Sequence, residues 1–203
     1  MHNFFKTSLL IISVLILGAC SGNEFKPDHK LTIEPFAFTN QHNEEVTLED
    51  LEGEVWLAQF VFSNCTSVCG PMMVNMANLQ DELIKEKVED YKIVSFTVDP
   101  VVDTPEVLQG YLDMFAPMDE TKWEMLTGYK QAEITEIAKK SFAQIVIPDP
   151  NSDQVTHGTR FALVNQDGLV VKLYDGIGDS DNPFDNYVDD IVKDMKALIK
   201  QGA

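Results

Sequence analysis

Two cysteines, Cys65 and Cys69, stand four positions apart in the stretch FVFSNCTSVCGPMMVNM, residues 60–76. Such a pair admits three chemistries: a structural disulfide, a dithiol–disulfide redox couple, or two legs of a soft-metal site. In helical geometry the two Cα atoms would be about 6 Å apart. That is within reach of a disulfide, and it also lets both sulfurs face one point. A staple closing so short a loop contributes least in the loop-closure account, so stability is the weakest reason for the pair. With Cys69 opening a helix and Cys65 just before it, the N-terminal amides and the macrodipole lower thiol pKa and favour thiolate. The spacing is one residue longer than the redox motif C-x-x-C and is a weak signal alone.

A two-thiolate site needs further ligands. The histidines are His2, His29, His42 and His157. His157 lies in DQVTHGTRFALV, immediately before an apolar strand. Alone it reads as a surface or capping residue; it becomes a ligand if that strand lies beside the cysteine strand. Two thiolates and an imidazole suit one copper ion, as Cu(I) or Cu(II), better than a hard cation. Zinc is also chemically admissible. Met72, Met73 and Met76 are soft ligands in principle, but their better reading is the apolar face of a helix.

The elements that must position these residues follow from periodicity. EVWLAQFVF, residues 54–62, is near-continuously apolar and β-prone, as in a strand buried on both faces. Helical spacing follows, with Met72, Met76, Leu79 and Leu83 on one face. YKIVSFTVD is the next strand, and DTPEVLQGYLDMF starts a helix with Thr104 as N-cap and Pro105 behind it. WEMLTG predicts a short strand and QAEITEIAKKSF an amphipathic helix. AQIVIPDPNSDQV predicts a hairpin with Asp149–Asp153 in its loop. TRFALVNQDGLVVKLYDG is two strands around an Asp-Gly turn. A final helix carries Val188, Ile191, Val192, Met195, Leu198 and Ile199 on its buried stripe. This order predicts an α/β domain with a mixed central sheet flanked by helices: a thioredoxin-like fold with an N-terminal β-hairpin extension and an inserted hairpin. The cysteine loop and DPVVD, Asp99–Asp103, both fall beyond the carboxyl ends of parallel strands, where such sheets bind ligands.

The N-terminus reads as a targeting segment. Lys6 precedes the apolar run SLLIISVLIL, which at about ten residues is too short to span a bilayer. LGAC follows, and its end resembles the bacterial lipoprotein signal. That resemblance implies cleavage before Cys20 and lipid attachment at Cys20; an ordinary signal peptide or an anchor helix is the alternative. The expected organisation is a signal peptide over 1–19, a lipidated tether over 20–30 and a domain over 31–203. Acyl chains would hold the protein to the membrane from outside the cytoplasm. Cys65 and Cys69 are then the only thiols left, in a compartment where disulfides persist.

The 203-residue chain carries 15 Lys+Arg against 33 Asp+Glu, a net charge of −18. Removal of residues 1–19 takes Lys6 and no acid, so the balance goes to −19. Such a surface repels nucleic acid, and DNA or RNA binding is excluded as a function. Its plain meaning is solubility.

Three segments together resemble the Sco/SenC family of thioredoxin-like copper proteins: NCTSVCGPMM at 64–73, FTVDPVVDTPEVLQGY at 96–111 and VTHGTRFALVNQDG at 155–168. The likeness covers roughly residues 35–200. It implies that Cys65, Cys69 and His157 bind copper, and that the two cysteines cycle between dithiol and disulfide. It also implies a role in assembling the binuclear copper centre of cytochrome c oxidase, with that subunit and a thiol reductant as partners. Asp99 and Asp103 match the family pattern and are candidates to support the ligands without touching the ion; capping the turn and the Thr104 helix is their alternative role. The family usually has Pro after each cysteine, where this chain has Thr66 and Gly70. The competing function is a thiol–disulfide oxidoreductase or a peroxiredoxin-like peroxidase. The former is disfavoured by the lack of any Pro between Asn151 and Asn182. The latter would need Arg160, the chain's only arginine, beside its thiol.

Overall fold

The computed structural model describes residues 25–178 and 187–202. Its main sheet has six strands. They are β1 (Leu31–Thr32), β4 (Val55–Val61), β5 (Tyr91–Thr97), β6 (Trp123–Leu126), β9 (Arg160–Val164) and β10 (Leu169–Asp175), in the order β1-β10-β9-β4-β5-β6. β4, β5 and β6 are parallel, whereas β9, β10 and β1 run antiparallel to their neighbours. The two remaining pairs are hairpins: β2 (Ala37–Thr39) with β3 (Glu45–Thr47), and β7 (Val146–Pro148) with β8 (Val155–His157). The predicted mixed thioredoxin-like sheet, N-terminal hairpin and inserted hairpin are all present.

Every residue of β4 is buried, which is what an apolar run covered on both faces requires. Helices α1 (Cys69–Lys85) and α2 (Pro105–Asp113) are the crossovers that keep β4, β5 and β6 parallel. Helices α3 (Gln131–Phe142) and α4 (Tyr187–Gly202) complete the layers. Met72, Met76, Leu79 and Leu83 are fully buried along α1, on the face that their spacing predicts. Thr104 caps α2, its hydroxyl accepting from the Val107 N–H. The N-terminal hairpin seals the β6 edge, which would otherwise present unpaired amides. Gln41 does this with its side chain, donating to the Trp123 carbonyl and accepting from the Met125 N–H.

One expectation is corrected. Residues 25–30 are not a free tether: Phe25 is 8% exposed, packed with the core, and the N–H groups of Asp28 and His29 both donate to the Val171 carbonyl. A lone aromatic and two backbone bonds to β10 hold this segment to the sheet. The predicted signal peptide, Cys20 and residues 21–24 lie outside the described residues. Among the described residues no helix is long and apolar enough to cross a membrane.

Candidate metal centre

Cys65 sits in the loop between β4 and α1, partly exposed. Cys69 is the first residue of α1 and fully buried. His157 ends β8 and is 7% exposed. The potential ligand atoms of these three side chains all lie within 4.8 Å of one another. The fold thus brings the two predicted thiols and the predicted imidazole to one point at the carboxyl end of β4.

The imidazole is oriented by the backbone of the next residue. Nδ1 donates to the Gly158 carbonyl at 2.9 Å, which fixes the tautomer whose bare Nε2 faces the sulfurs. Nε2 lies 3.1 Å from Cys69 Sγ. Burial lowers the His157 pKa, with the Gly158 bond opposing, so the ring is neutral at pH 7 and ready to ligate. The Phe62 ring stands edge-on to it, centroids 5.9 Å apart.

The two thiols are unlike acids. Burial acts to raise Cys65, but hydrogen bonds from the Cys69 thiol, the Ser67 and Cys69 N–H groups and the Ser67 hydroxyl outweigh it, and its pKa falls. Burial pushes Cys69 well up, reinforced by the bond to Cys65 and by the negative charges of Cys65 and Asp103. Opening a helix was expected to favour thiolate at this pair generally. The structure gives the effect to Cys65 alone, because the Cys65 sulfur accepts the Cys69 N–H at 3.4 Å.

Asp99 and Asp103 do not bond the thiols or the imidazole. Asp103 is fully buried; its carboxylate accepts from Ser63 N–H, Ser63 Oγ and Thr97 Oγ1, tying the end of β4 to the end of β5. The Asp99 carbonyl accepts from the Val102 and Asp103 N–H groups and shapes the turn. Met72, Met73 and Met76 are all fully buried, and Met73 Sδ accepts from Gln59 Nε2. The backbone of Arg160 is bonded by the Gln144 side chain, its carbonyl accepting from Nε2 and its N–H donating to Oε1.

Several residues near the site had no signal in spacing or periodicity. Tyr111 of α2 lies close enough for the charges of Cys69 and Cys65, after burial, to hold its hydroxyl protonated. Gln154 and Asp153, in the inserted hairpin, hydrogen-bond Thr66 and Asn64 on either side of Cys65. At Gly70 a side chain would meet open space.

The SCO1/SenC family model matches residues 25–193. The chain belongs to the SCO1/SenC family. The SCO1 protein homolog of Bacillus subtilis (strain 168) is 43% identical over 177 residues, 87% of this chain and 90% of that protein. BsSco is described as a member of the Sco family of cytochrome c oxidase assembly proteins with a disulfide switch. It superposes with a TM-score of 0.75 at 42% identity, covering 87% of this chain and 98% of its own. Yeast Sco1 with copper bound superposes with a TM-score of 0.65 at 26% identity, covering 82% and 89%.

In this SCO1/SenC chain the donor set suits a soft ion: two sulfurs and one neutral imidazole nitrogen, with Cys69 and His157 buried and Cys65 partly exposed. The nearest buried carboxylate, Asp103, spends its oxygens on Ser63 and Thr97 and does not add a hard ligand. Bonds of about 2.0–2.3 Å around one ion put ligand atoms about 3.5 Å apart. The observed cluster therefore needs only small side-chain adjustments to close on a metal.

Proposed function

We propose that this protein is a membrane-anchored, extracytoplasmic copper metallochaperone with a redox-active cysteine pair, serving assembly of the binuclear copper centre of cytochrome c oxidase. The observation that carries the reading is the convergence of Cys65, Cys69 and His157 within 4.8 Å. One copper ion is the cargo, held by Cys65 and Cys69 sulfurs and His157 Nε2. Two thiolates and a neutral imidazole neutralise Cu(II), while the soft sulfurs suit Cu(I), so the same donors serve both states. Copper in yeast Sco1 and the assembly role named for BsSco support the assignment by kinship. The partners are the copper-centre subunit of the oxidase and a thiol reductant that restores the dithiol. Residues 1–19 act as a signal peptide, and Cys20 carries the lipid that holds the domain to the membrane; loss of palmitate labelling in Cys20→Ala tests this.

The decisive experiment adds Cu(II) to reduced protein lacking residues 1–20 and records the visible spectrum. One tightly bound copper with thiolate-to-copper charge transfer is expected. The band is lost in Cys65→Ser and Cys69→Ser and greatly altered in His157→Ala. Binding no tighter than that of the double cysteine variant defeats the reading. Turnover of disulfide substrates by copper-free protein would instead favour an oxidoreductase, for which the thiolate-prone, partly exposed Cys65 is the supporting observation.

A further inference from the structure

The loop that carries Cys65 is held by the hairpin that carries His157. Gln154 begins this connection, three residues before His157. Its Oε1 accepts from the Thr66 N–H at 3.3 Å and from Thr66 Oγ1 at 3.2 Å, and its Nε2 donates to the Asn64 carbonyl at 3.0 Å. Asn64 Nδ2 donates in turn to Asp153 Oδ2 at 2.7 Å. One amide side chain therefore grips the backbone on both sides of Cys65. The contacts of the sulfur between them include long ones, 3.4 Å to Cys69 N and 3.8 Å to Ser67 Oγ, both on its own side of the loop. A proline at position 66 would have no N–H to give; Thr66 supplies both an N–H and a hydroxyl.

We propose that Gln154 is a positioning residue that holds Cys65 in the open dithiol arrangement, aligned with His157, and opposes its closure onto Cys69. The inference rests on the reading of the pair as a metal-receiving redox couple. Disulfide formation brings the sulfurs to about 2.05 Å. Cys69 is fully buried at the start of a packed helix, so the sulfur that travels is that of Cys65. Its loop cannot move without straining the three bonds to Gln154. Those bonds are solvent-exposed and add little to global stability. Their energy falls on one loop, where it biases a local equilibrium. When closure occurs, the two thiols give up two electrons and two protons to a disulfide oxidant, which is reduced to two thiols.

The test equilibrates metal-free protein lacking residues 1–20 with mixtures of oxidised and reduced dithiothreitol. Gln154→Met keeps the length of the side chain and removes all three bonds. It should shift the equilibrium about fivefold toward the disulfide. Gln154→Glu retains the acceptor for Thr66 and should restore part of the shift. Thr66→Val keeps the N–H, loses the hydroxyl and should fall between wild type and Gln154→Met. Thermal midpoints of the reduced proteins should stay close together, which separates positioning from a general role in the fold. An equilibrium unchanged in Gln154→Met, or moved toward the dithiol, overturns the proposal. So does a shift matched by a comparable loss of overall stability. Copper takes no part in this measurement, so failure of wild type to bind copper would defeat the proposed function and leave the clamp standing.

Discussion

Cys65 and Cys69 are one helical turn apart, yet one is a partly exposed, thiolate-prone sulfur and the other a buried thiol. In reduced, metal-free protein, iodoacetamide should therefore alkylate Cys65 first, by at least about tenfold at pH 8. Peptide mapping by mass spectrometry reads the order directly, and equal labelling would contradict it. Asp99 is a perturbed acid as well. Burial raises its pKa, and the neighbouring charges of Asp103 and then Asp153 add to the effect. An acid with a raised folded-state pKa carries an ionisation cost above that pKa, and the cost disappears as pH falls through it. Asp99→Asn should therefore stabilise the fold at pH 7, by no more than about 0.5 kcal/mol because the group is largely solvated. The gain should vanish in acid. Thermal midpoints of both proteins from pH 7 downward measure it; a loss of stability at pH 7 would show that the carboxylate is needed as an acceptor in the turn.

Among the elements, the loop after β4 depends on its neighbours for its shape. Asp103 joins Ser63, at the root of that loop, to Thr97 at the end of β5. Asp103→Ala leaves buried hydroxyl and N–H groups without their acceptor, and should cost about 3 kcal/mol in urea unfolding. Copper should also dissociate faster, because the Cys65 loop loses its footing. A cost under about 0.5 kcal/mol would mean that Ser63 and Thr97 find other acceptors. The contrast with β4 explains what the sequence made legible. β4 is apolar on both faces, the α1 stripe repeats at helical spacing, and Asn165–Gly168 is a hairpin turn with Gly168 at φ +70°, so each leaves a local pattern. The cysteine spacing is local too, whereas His157, placed just before an apolar strand, reads as a ligand only once that strand lies beside the cysteine strand. The Ser63–Asp103 and Thr66–Gln154 bonds join residues 40 and 88 positions apart. Nothing periodic marks them, and they exist only after the sheet has brought the loops together. Residues 25–30 read as tether for the same reason: the Val171 carbonyl that the Asp28 and His29 N–H groups bond lies more than 140 positions further along the chain.

The whole molecule is acidic, but its cations are unevenly placed. No Lys or Arg occurs in residues 54–84, 93–121 or 141–159. Those stretches include the Cys65 loop, the Asp99–Asp103 turn and the whole β7–β8 hairpin. The exposed apolar side chains Val101, Val102 and Ile147 belong to the same segments. Lys85, Lys87 and Lys196 lie instead toward the far end of α1, where Lys85 pairs with Glu82 and Lys196 with Glu86. Cys65 therefore opens onto a region of negative potential, and a small reagent should feel it. Cystamine, a dication, should form a mixed disulfide with reduced Cys65 about tenfold faster than the dianion dithiodiglycolate at low ionic strength, beyond their ratio toward free cysteine. Near 1 M salt the Debye length falls to about 3 Å, and the excess should all but vanish. Glu86→Gln, at the remote end of α1, should leave the excess nearly unchanged at 0.1 M salt, where screening acts over about 10 Å. Stopped-flow rates across a salt series decide the matter. Equal reactivity of the two reagents at low salt, or an excess that survives 1 M salt, would mean that the acidic surface serves solubility and does not guide what reaches the thiol.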